Sequence, residues 1–221
     1  MPTLDPSDLI PLFSQPPSSP TLTTYLQSLS PSSTPIPPPE IKSYPDSTYH
    51  NYHPLGLSLS FRPNKGLSSI DIYNPPPHPI PKRANQAPSP VYSPPPEVTL
   101  HFPSDNIILP PKKEGDKPLS IPRPTTFSLK ANSTGRDFVS HLGEPTRKGS
   151  GGWTGLWLEW SDVSLKVADG GEVRVGVMVE LRDPGAREMM TEEGRRKGMG
   201  GVWERASRWE WGNVKFFKVE Q

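Results

Sequence analysis

Few residues of this sequence have the types and spacing that chemistry requires. The nearest candidate is a run of two adjacent cations and small residues: Arg147, Lys148, Gly149, Ser150, Gly151 and Gly152. Free backbone amides beside cations can bind a phosphate or another anion. The run follows a predicted helix end, however, where the helix dipole disfavours anions. A flexible connector is therefore the favoured interpretation, and an anion site is the alternative.

The usual catalytic and metal-binding arrangements are missing from the pattern. Ser150 stands between two glycines but lacks the strand-turn-helix context that activates a serine nucleophile. His50 and His53 are three residues apart on a predicted strand, so they point to opposite faces and do not share one metal ion. Cysteine is absent. The sequence therefore predicts no catalytic residues, no metal and no cofactor, and favours a non-enzymatic protein.

The tryptophans are the most suggestive residues for recognition. All six lie after residue 150: Trp153, Trp157, Trp160, Trp203, Trp209 and Trp211. Indole rings bury a large area and often anchor protein interfaces. Core filling explains them equally well, because this chain has few other large apolar residues. Both interpretations stay open, and Trp209 and Trp211 are expected on one face of a strand.

Two strand-turn-strand patterns, 106 residues apart, must position these residues. The first spans 57–72 with Gly66 in its turn, and the second spans 163–177 with Gly170 in its turn. Each alternates apolar and polar residues as a half-buried strand does, and each turn has the glycine that a tight hairpin needs. A helical pattern precedes each copy. The repetition predicts two related units, each a helix followed by an antiparallel meander.

The helices have clear sequence boundaries. Pro20 suits the first turn of a helix running to Leu29. Thr134 and Asp137 form a capping-box-like pair for the second helix, which Gly143 ends. A further helix is predicted from Asp183 to about residue 197. Strands are predicted over 97–102, with 106–109 as a candidate partner, over 156–160 and 163–168, and at a sheet edge over 214–219. Strands that follow helices without strict alternation favour an α+β fold with antiparallel sheet.

Composition divides the chain unevenly. Of 32 prolines, only Pro145 and Pro184 follow Pro124. This distribution predicts ordered pieces between Pro-rich linkers in the first half. The expected organisation is a flexible N-terminus over 1–19, a first unit over 20–125 with a Pro-rich insertion at 74–96, and a second unit over 126–221 with a Trp-rich C-terminal extension.

Charge and hydropathy limit the function classes. A formal net charge of +1 argues against a nucleic-acid binder that works through bulk positive charge. No signal-peptide pattern and no apolar run of membrane-spanning length occurs. The absence of cysteine fits a reducing compartment. Cytoplasm or nucleus is therefore the expected location, without membrane association.

A family resemblance adds to this interpretation. The segment Gly135 to Pro145, which ends in Leu-Gly-Glu-Pro and precedes strands, resembles the helix-to-sheet pattern of the β-lactamase-inhibitor-like fold. That fold includes small outer-membrane assembly lipoproteins and tandem inhibitor proteins. The segment also resembles uncharacterised microbial proteins with the same turn and a Gly-rich loop. The resemblance covers mainly 133–181, and more weakly 20–74. It implies a fold that binds other proteins and has no catalytic residues; this chain lacks the family's usual signal peptide and cysteines.

The predicted function is accordingly a protein-interaction module of unknown pathway. It would bind another protein through a sheet face and the Trp-rich C-terminal region. The alternative is a small-molecule or anion binder, or an enzyme, that uses the crevice between the two units with the Arg147–Gly152 run at its mouth.

Overall fold

The computed structural model describes residues 3–30, 35–76, 91–109, 111, 113, 115, 117–151, 155–182 and 202–219. The strands are β1 (Thr3–Leu4), β2 (Glu40–Ser43), β3 (Thr48–Tyr52), β4 (Leu57–Arg62), β5 (Gly66–Tyr73), β6 (Glu97–His101), β7 (Asn106–Leu109), β8 (Leu119–Pro122), β9 (Thr126–Leu129), β10 (Arg147–Gly151), β11 (Gly155–Lys166), β12 (Glu172–Leu181) and β13 (Trp211–Phe217). The helices are α1 (Pro20–Ser28), α2 (Gly135–Leu142) and α3 (Val202–Ala206), and 3-10 helices occupy Pro6–Leu12 and His53–Leu55.

One large antiparallel sheet dominates the fold. Its strand order is β10-β11-β12-β13-β5-β4-β3-β2. Helices and extensive antiparallel sheet are both present, so the expected mixed class is confirmed, although the chain is mostly sheet. None of the described helices has the length and apolarity needed to cross a membrane.

Both predicted hairpins are present in the large sheet. The first is β4–β5, in which Gly66 has a φ of +70°. The second is β11–β12, in which Gly170 has a φ of +88°. Left-handed backbone at these turns explains the glycines. The stretch 156–168, predicted as two strands, is mostly one strand, β11, because a bulge between Trp160 and Val163 lets the pairing with β12 continue.

The last strand, β13, was predicted at an edge and instead lies at the centre. It pairs with β12 on one side and with β5 on the other. Val214 and Phe216 are fully buried, consistent with their alternation. Alternation shows which face of a strand is buried but does not show which strands flank it. The prediction of an edge strand is wrong. The two strands that flank β13 are distant in the sequence, so no local pattern revealed them.

Three further strands form a small second sheet. Its order is β1-β6-β9, and β6 contacts β11 of the large sheet. The stretch 97–102 was predicted to pair with 106–109, but β7 pairs with β8 in a separate hairpin. The helix predicted from Asp183 lies outside the described residues.

The N-terminal segment belongs to the core. Leu4 and Leu9 are completely buried, and Leu12 is nearly so. The first 3-10 helix contacts β12, and the Ser14 amide donates to the Leu67 carbonyl oxygen at 2.8 Å. The prediction of a flexible N-terminus over 1–19 is therefore wrong for these residues. Pro11 interrupts the spacing of apolar residues that would indicate an α-helix, so the sequence gave no sign of order here. The segment instead forms a 3-10 helix that contains Pro11.

Helix α2 has the predicted capping pair. The Thr134 amide and hydroxyl both donate to Asp137 Oδ2, at 2.7 and 2.9 Å. Phe138 of α2 is buried against the Trp160 ring, with centroids 6.4 Å apart. The cap therefore fixes the start of the helix that covers the β11 end of the large sheet.

Replacing Asp137 with alanine is expected to lower the free energy of unfolding by about 1 kcal/mol, because the Thr134 amide loses its acceptor. Urea denaturation followed by circular dichroism measures the change. Arg136→Ala is the matched control, since Arg136 is exposed on the same helical turn. Equal stabilities for the two variants would show that the cap contributes nothing.

Candidate functional site

The large sheet has one apolar face and one polar face. On the central strands, Leu59, Ile70 and Phe216 point into the core. The residues between them form the opposite face of the sheet, which we call the polar face. One row of directly paired residues crosses it from β3 to β10: Asn51, Ser58, Asp71, Lys215, Met178, Glu159 and Arg147.

Aromatic side chains flank this polar row. The row on one side runs through Tyr73, Asn213, Glu180, Trp157 and Gly149. The row on the other side runs through Tyr49, Ser60, Ser69, Phe217 and Gly176. The polar face therefore combines large aromatic rings with short hydroxyl and amide side chains, and the short side chains of Ser58, Ser60 and Ser69 are buried.

A cavity of about 560 Å³ opens on the β2–β5 half of the polar face. Four tyrosines line it: Tyr44, Tyr49, Tyr73 and Tyr92. The rings of Tyr73 and Tyr92 stack with their centroids 3.9 Å apart. The Tyr92 hydroxyl donates to Asn51 Oδ1 at 3.1 Å, and Ser58 Oγ donates to the same oxygen at 2.7 Å. These contacts hold Tyr92, which lies within the Pro-rich insertion, in a fixed position on the sheet.

Charged groups lie beside the tyrosines at the centre of the polar face. Lys215 Nζ is 3.4 Å from Asp71 Oδ1. Burial raises the pKa of Asp71, although Lys215 acts in the opposite direction. Burial and the Asp71 carboxyl also raise the pKa of Glu180. Burial above all, with Asp71 nearby, raises the pKa of Tyr73 well above its usual range.

The Arg147–Gly152 run was predicted as a loop, and in the structure residues 147–151 form the edge strand β10. Arg147 lies on the polar face, 3.5 Å from Glu159 and with its guanidinium 5.8 Å from the Trp157 ring. Lys148 lies on the opposite face, with Nζ 5.2 Å from the Trp203 ring. The two cations therefore diverge and do not form a shared anion site. Gly152 lies outside the described residues.

The tryptophans divide between core and surface. Trp160 and Trp211 are buried, and their indole N–H groups donate to the carbonyl oxygens of Gly143 and Lys130 at 3.0 and 2.8 Å. Trp209 is also buried. It lies before β13, so the prediction that Trp209 and Trp211 share one face of a strand is wrong. Trp157 and Trp203 are half-buried. Trp153 lies outside the described residues.

A second cavity, of about 480 Å³, lies on the apolar side of the large sheet. Helix α2, the β7–β8 hairpin, helix α3 and the ends of β11 and β12 surround it. We call it the apolar groove. It shares no lining residue with the tyrosine cavity.

Sequence reasoning missed the four tyrosines of the polar-face cavity. Tyr73 is the neighbour of the buried Ile72 on β5, so the alternation along this strand predicts that Tyr73 points to the opposite face of the sheet. Tyr92 stands in a Pro-rich segment without periodicity, and only tertiary contacts bring it onto Tyr73. Among the described residues, no group of three potential metal ligands occurs, and His53 Nε2 instead lies 2.9 Å from Glu40 Oε2.

Comparison with known proteins adds no assignment. No family model, curated protein or solved structure matches the chain significantly. The functional argument therefore depends on the geometry of the chain itself.

Proposed function

We propose that this chain is a non-enzymatic protein-interaction module that binds another protein through the polar face of its large sheet. One observation supports this most directly: rings from separate strands and from the 91–96 segment lie on one sheet face. Tyrosine and tryptophan provide large rigid contact area together with a hydrogen-bonding group, and they are enriched in interface hot spots. The 560 Å³ cavity offers a recess for a partner side chain.

The described packing elements support the choice of this face. Helix α2 packs on the apolar face through Phe138, and the small sheet and the first 3-10 helix contact β11 and β12 from the same side. Leu22 and Leu26 of α1 belong to the same buried cluster. Among the described residues these elements lie on the apolar face, whereas the polar face carries the 91–96 segment through Tyr92 and leaves the exposed Tyr44 and the half-buried Trp157 for a partner.

Fewer C-terminal tryptophans are available for binding than the sequence suggested. Trp160, Trp209 and Trp211 are buried, so among the described tryptophans Trp157 is the one that the polar face offers to a partner. Deleting residues 202–221 would not test binding, because it removes the central strand β13. Point substitutions are required instead.

We also propose that the chain consists of two related units. Helix α1 with β2–β5 forms one unit, and α2 with β10–β13 forms the other. Each is a helix followed by a four-stranded antiparallel meander, and the units join through their last strands, β5 and β13. The repeated hairpin pattern and the resemblance to the β-lactamase-inhibitor-like fold support this view. The proposed partner is a protein, with neither nucleic acid nor membrane involved, in the cytoplasm or nucleus.

The experiment compares the proteins captured from cells by the wild type and by a Tyr44→Ala, Trp157→Ala double variant, with quantitative mass spectrometry. Both side chains are accessible, so the variant should fold. We expect at least one specific partner to fall by about tenfold or more, since truncating hot-spot residues costs about 2 kcal/mol or more.

Val139→Ala is the matched control, because Val139 is an exposed apolar residue on α2, on the other side of the sheet. It should leave the captured partners unchanged. A partner set that survives the double variant, or that is lost only with Val139→Ala, would contradict the polar-face proposal.

A further inference from the structure

The tyrosine cavity, of about 560 Å³ on the β2–β5 half of the polar face, has aromatic walls that solvent reaches. Tyr44 is 56% exposed, and Tyr49, Tyr73 and Tyr92 are half-buried. The Tyr44 and Tyr49 rings lie at 84° to each other with their centroids 5.8 Å apart, so they form a corner. The stacked rings of Tyr73 and Tyr92 form a second wall. Aromatic ring faces carry partial negative charge and attract cations.

Two charged side chains of opposite sign are among the described residues that line the cavity, Lys42 and Asp46. Lys42 Nζ lies 3.5 Å from Glu40 Oε1, so its charge is already paired. Asp46 is exposed in the turn between β2 and β3, and Ser47 Oγ donates to its Oδ1 at 3.1 Å. Within the described part of the chain, Asp46 has no cationic partner. The unpaired charge at the cavity is therefore negative.

Carboxyl groups behind the tyrosine walls have the same sign. Burial is the largest cause of the raised pKa of Tyr73, and Asp71 and Glu180 act in the same direction. Asp71 also acts to raise the pKa of Tyr92, again after burial. Both effects are present although Lys215 Nζ lies 3.4 Å from Asp71 Oδ1. The tyrosines therefore lie in a negative electrostatic environment, which favours a cation in the cavity over an anion.

Hydrogen bonding selects among the possible cations. Asn51 Oδ1 already accepts from Tyr92 and Ser58, at 3.1 and 2.7 Å, so its two lone pairs are used. The Asp46 carboxylate accepts one described hydrogen bond and has further lone pairs for a donor. A planar guanidinium stacks on aromatic faces and donates to a carboxylate in a bidentate geometry, whereas a lysine ammonium is a strongly hydrated point charge.

We propose that the tyrosine cavity binds an arginine side chain, with the guanidinium stacked on a tyrosine ring and donating to the Asp46 carboxylate. The inference rests on the proposed function, since the arginine belongs to the protein that binds the polar face. Tyrosine and arginine are both enriched at protein interfaces, and hot-spot residues tend to pair with hot-spot residues of the partner.

The experiment titrates the full chain with N-acetyl-arginine amide and follows the tyrosine ring signals by nuclear magnetic resonance. N-acetyl-citrulline amide is the matched probe, because a neutral urea group replaces the guanidinium at nearly the same shape. We expect saturable shifts with the arginine probe and an affinity about tenfold above that of the citrulline probe, since the cation–π contact and the charge-assisted contact are lost together. N-acetyl-lysine amide should bind more weakly than the arginine probe.

Two pairs of variants locate the site. Tyr44→Leu should weaken arginine binding by about fivefold, whereas Tyr44→Phe keeps the ring and should bind almost as the wild type does. Asp46→Asn should remove most of the preference for arginine over citrulline. Asp169→Asn is its control, because Asp169 is likewise an exposed turn residue that accepts a hydrogen bond within its own hairpin turn. Circular dichroism verifies the fold of each variant; if one pair fails to fold, the other pair decides.

Three results would overturn the inference. The first is an arginine probe that binds no better than the citrulline probe, as a site for a neutral ligand would give. The second is Tyr44→Leu binding arginine as well as Tyr44→Phe does. The third is an equal preference for arginine in Asp46→Asn and Asp169→Asn.

The two proposals fail separately. If the Tyr44→Ala, Trp157→Ala variant loses a captured partner but arginine is not preferred over citrulline, the polar-face proposal stands and the arginine inference is wrong. If arginine is preferred but the captured partners are unchanged, the cavity is an arginine site and the polar-face proposal is wrong.

Discussion

Replacing Phe216 with alanine is expected to lower the free energy of unfolding by about 3–5 kcal/mol, the range for truncating a buried phenylalanine. Phe216 is completely buried on β13. It lies opposite Val177 of β12 on one side and Ile70 of β5 on the other. The truncation therefore leaves a cavity where the N-terminal and C-terminal halves of the sheet join, and the whole chain loses stability.

Urea denaturation tests this with two signals. Tryptophan fluorescence reports on the C-terminal half, which contains all six tryptophans, and far-ultraviolet circular dichroism reports on the whole chain. We expect both transitions to move together to lower urea, since a shared core unfolds as one unit. A fluorescence transition that shifts while part of the circular dichroism signal stays at its original midpoint would show that the halves are independent.

Phe217→Ala is the matched control for this prediction. Phe217 is the next residue on the same strand, but it lies on the polar face and is only half-buried. The same chemical change should therefore cost less than half as much. If the two variants lose the same free energy of unfolding, the loss comes from any substitution on this strand and not from the cavity in the buried face.

The features that the sequence predicted well are local ones. The β4–β5 and β11–β12 hairpins depend on alternation over a few residues and on a glycine in the turn, and the start of α2 depends on Thr134 and Asp137. In each case, the residues that determine the structure lie within one short segment. Their contacts are therefore visible in the sequence itself.

The features that it missed depend on distant contacts. Neighbours of β13 come from 172–181 and from 66–73, and no local pattern encodes that choice. The N-terminal 3-10 helix has too few apolar residues to predict a helix, yet it packs on β12. Short strands such as β1 and β9 similarly depend on the partner β6 for their pairing.

The predictions for the candidate site also separate into local features that the sequence showed and distant contacts that it did not. The sequence identified Trp157 as a recognition residue without distinguishing it from the buried Trp160, because an alternating strand can present either side to the core. Arg147 and Lys148 are adjacent in sequence, which suggested a joint anion site, but pairing within a sheet sends them to opposite faces. Tyr92 reaches the site through contacts with residues distant in the sequence, by stacking on Tyr73 and by donating to Asn51 Oδ1.

Replacing Gly66 with alanine is expected to lower the free energy of unfolding by about 2–5 kcal/mol, through two independent causes. Its φ of +70° is strained for a residue with a Cβ atom, which costs about 1–2 kcal/mol. An added Cβ would also lie 2.5 Å from the Ser14 carbonyl carbon and 2.7 Å from the Gln15 carbonyl oxygen. The N-terminal segment would have to move away from β5, as overpacking requires.

Gly170 provides the matched control, because it occupies the turn of the second hairpin. Its φ is +88°, but an added Cβ meets no atom within 4 Å. Gly170→Ala should therefore cost only the backbone strain, about 1–2 kcal/mol. Urea denaturation of both variants measures the difference, which is the contribution of the packed N-terminal segment. Equal losses would mean that residues 14 and 15 do not pack against the first turn, and the N-terminal segment would then have no part in stabilising that hairpin.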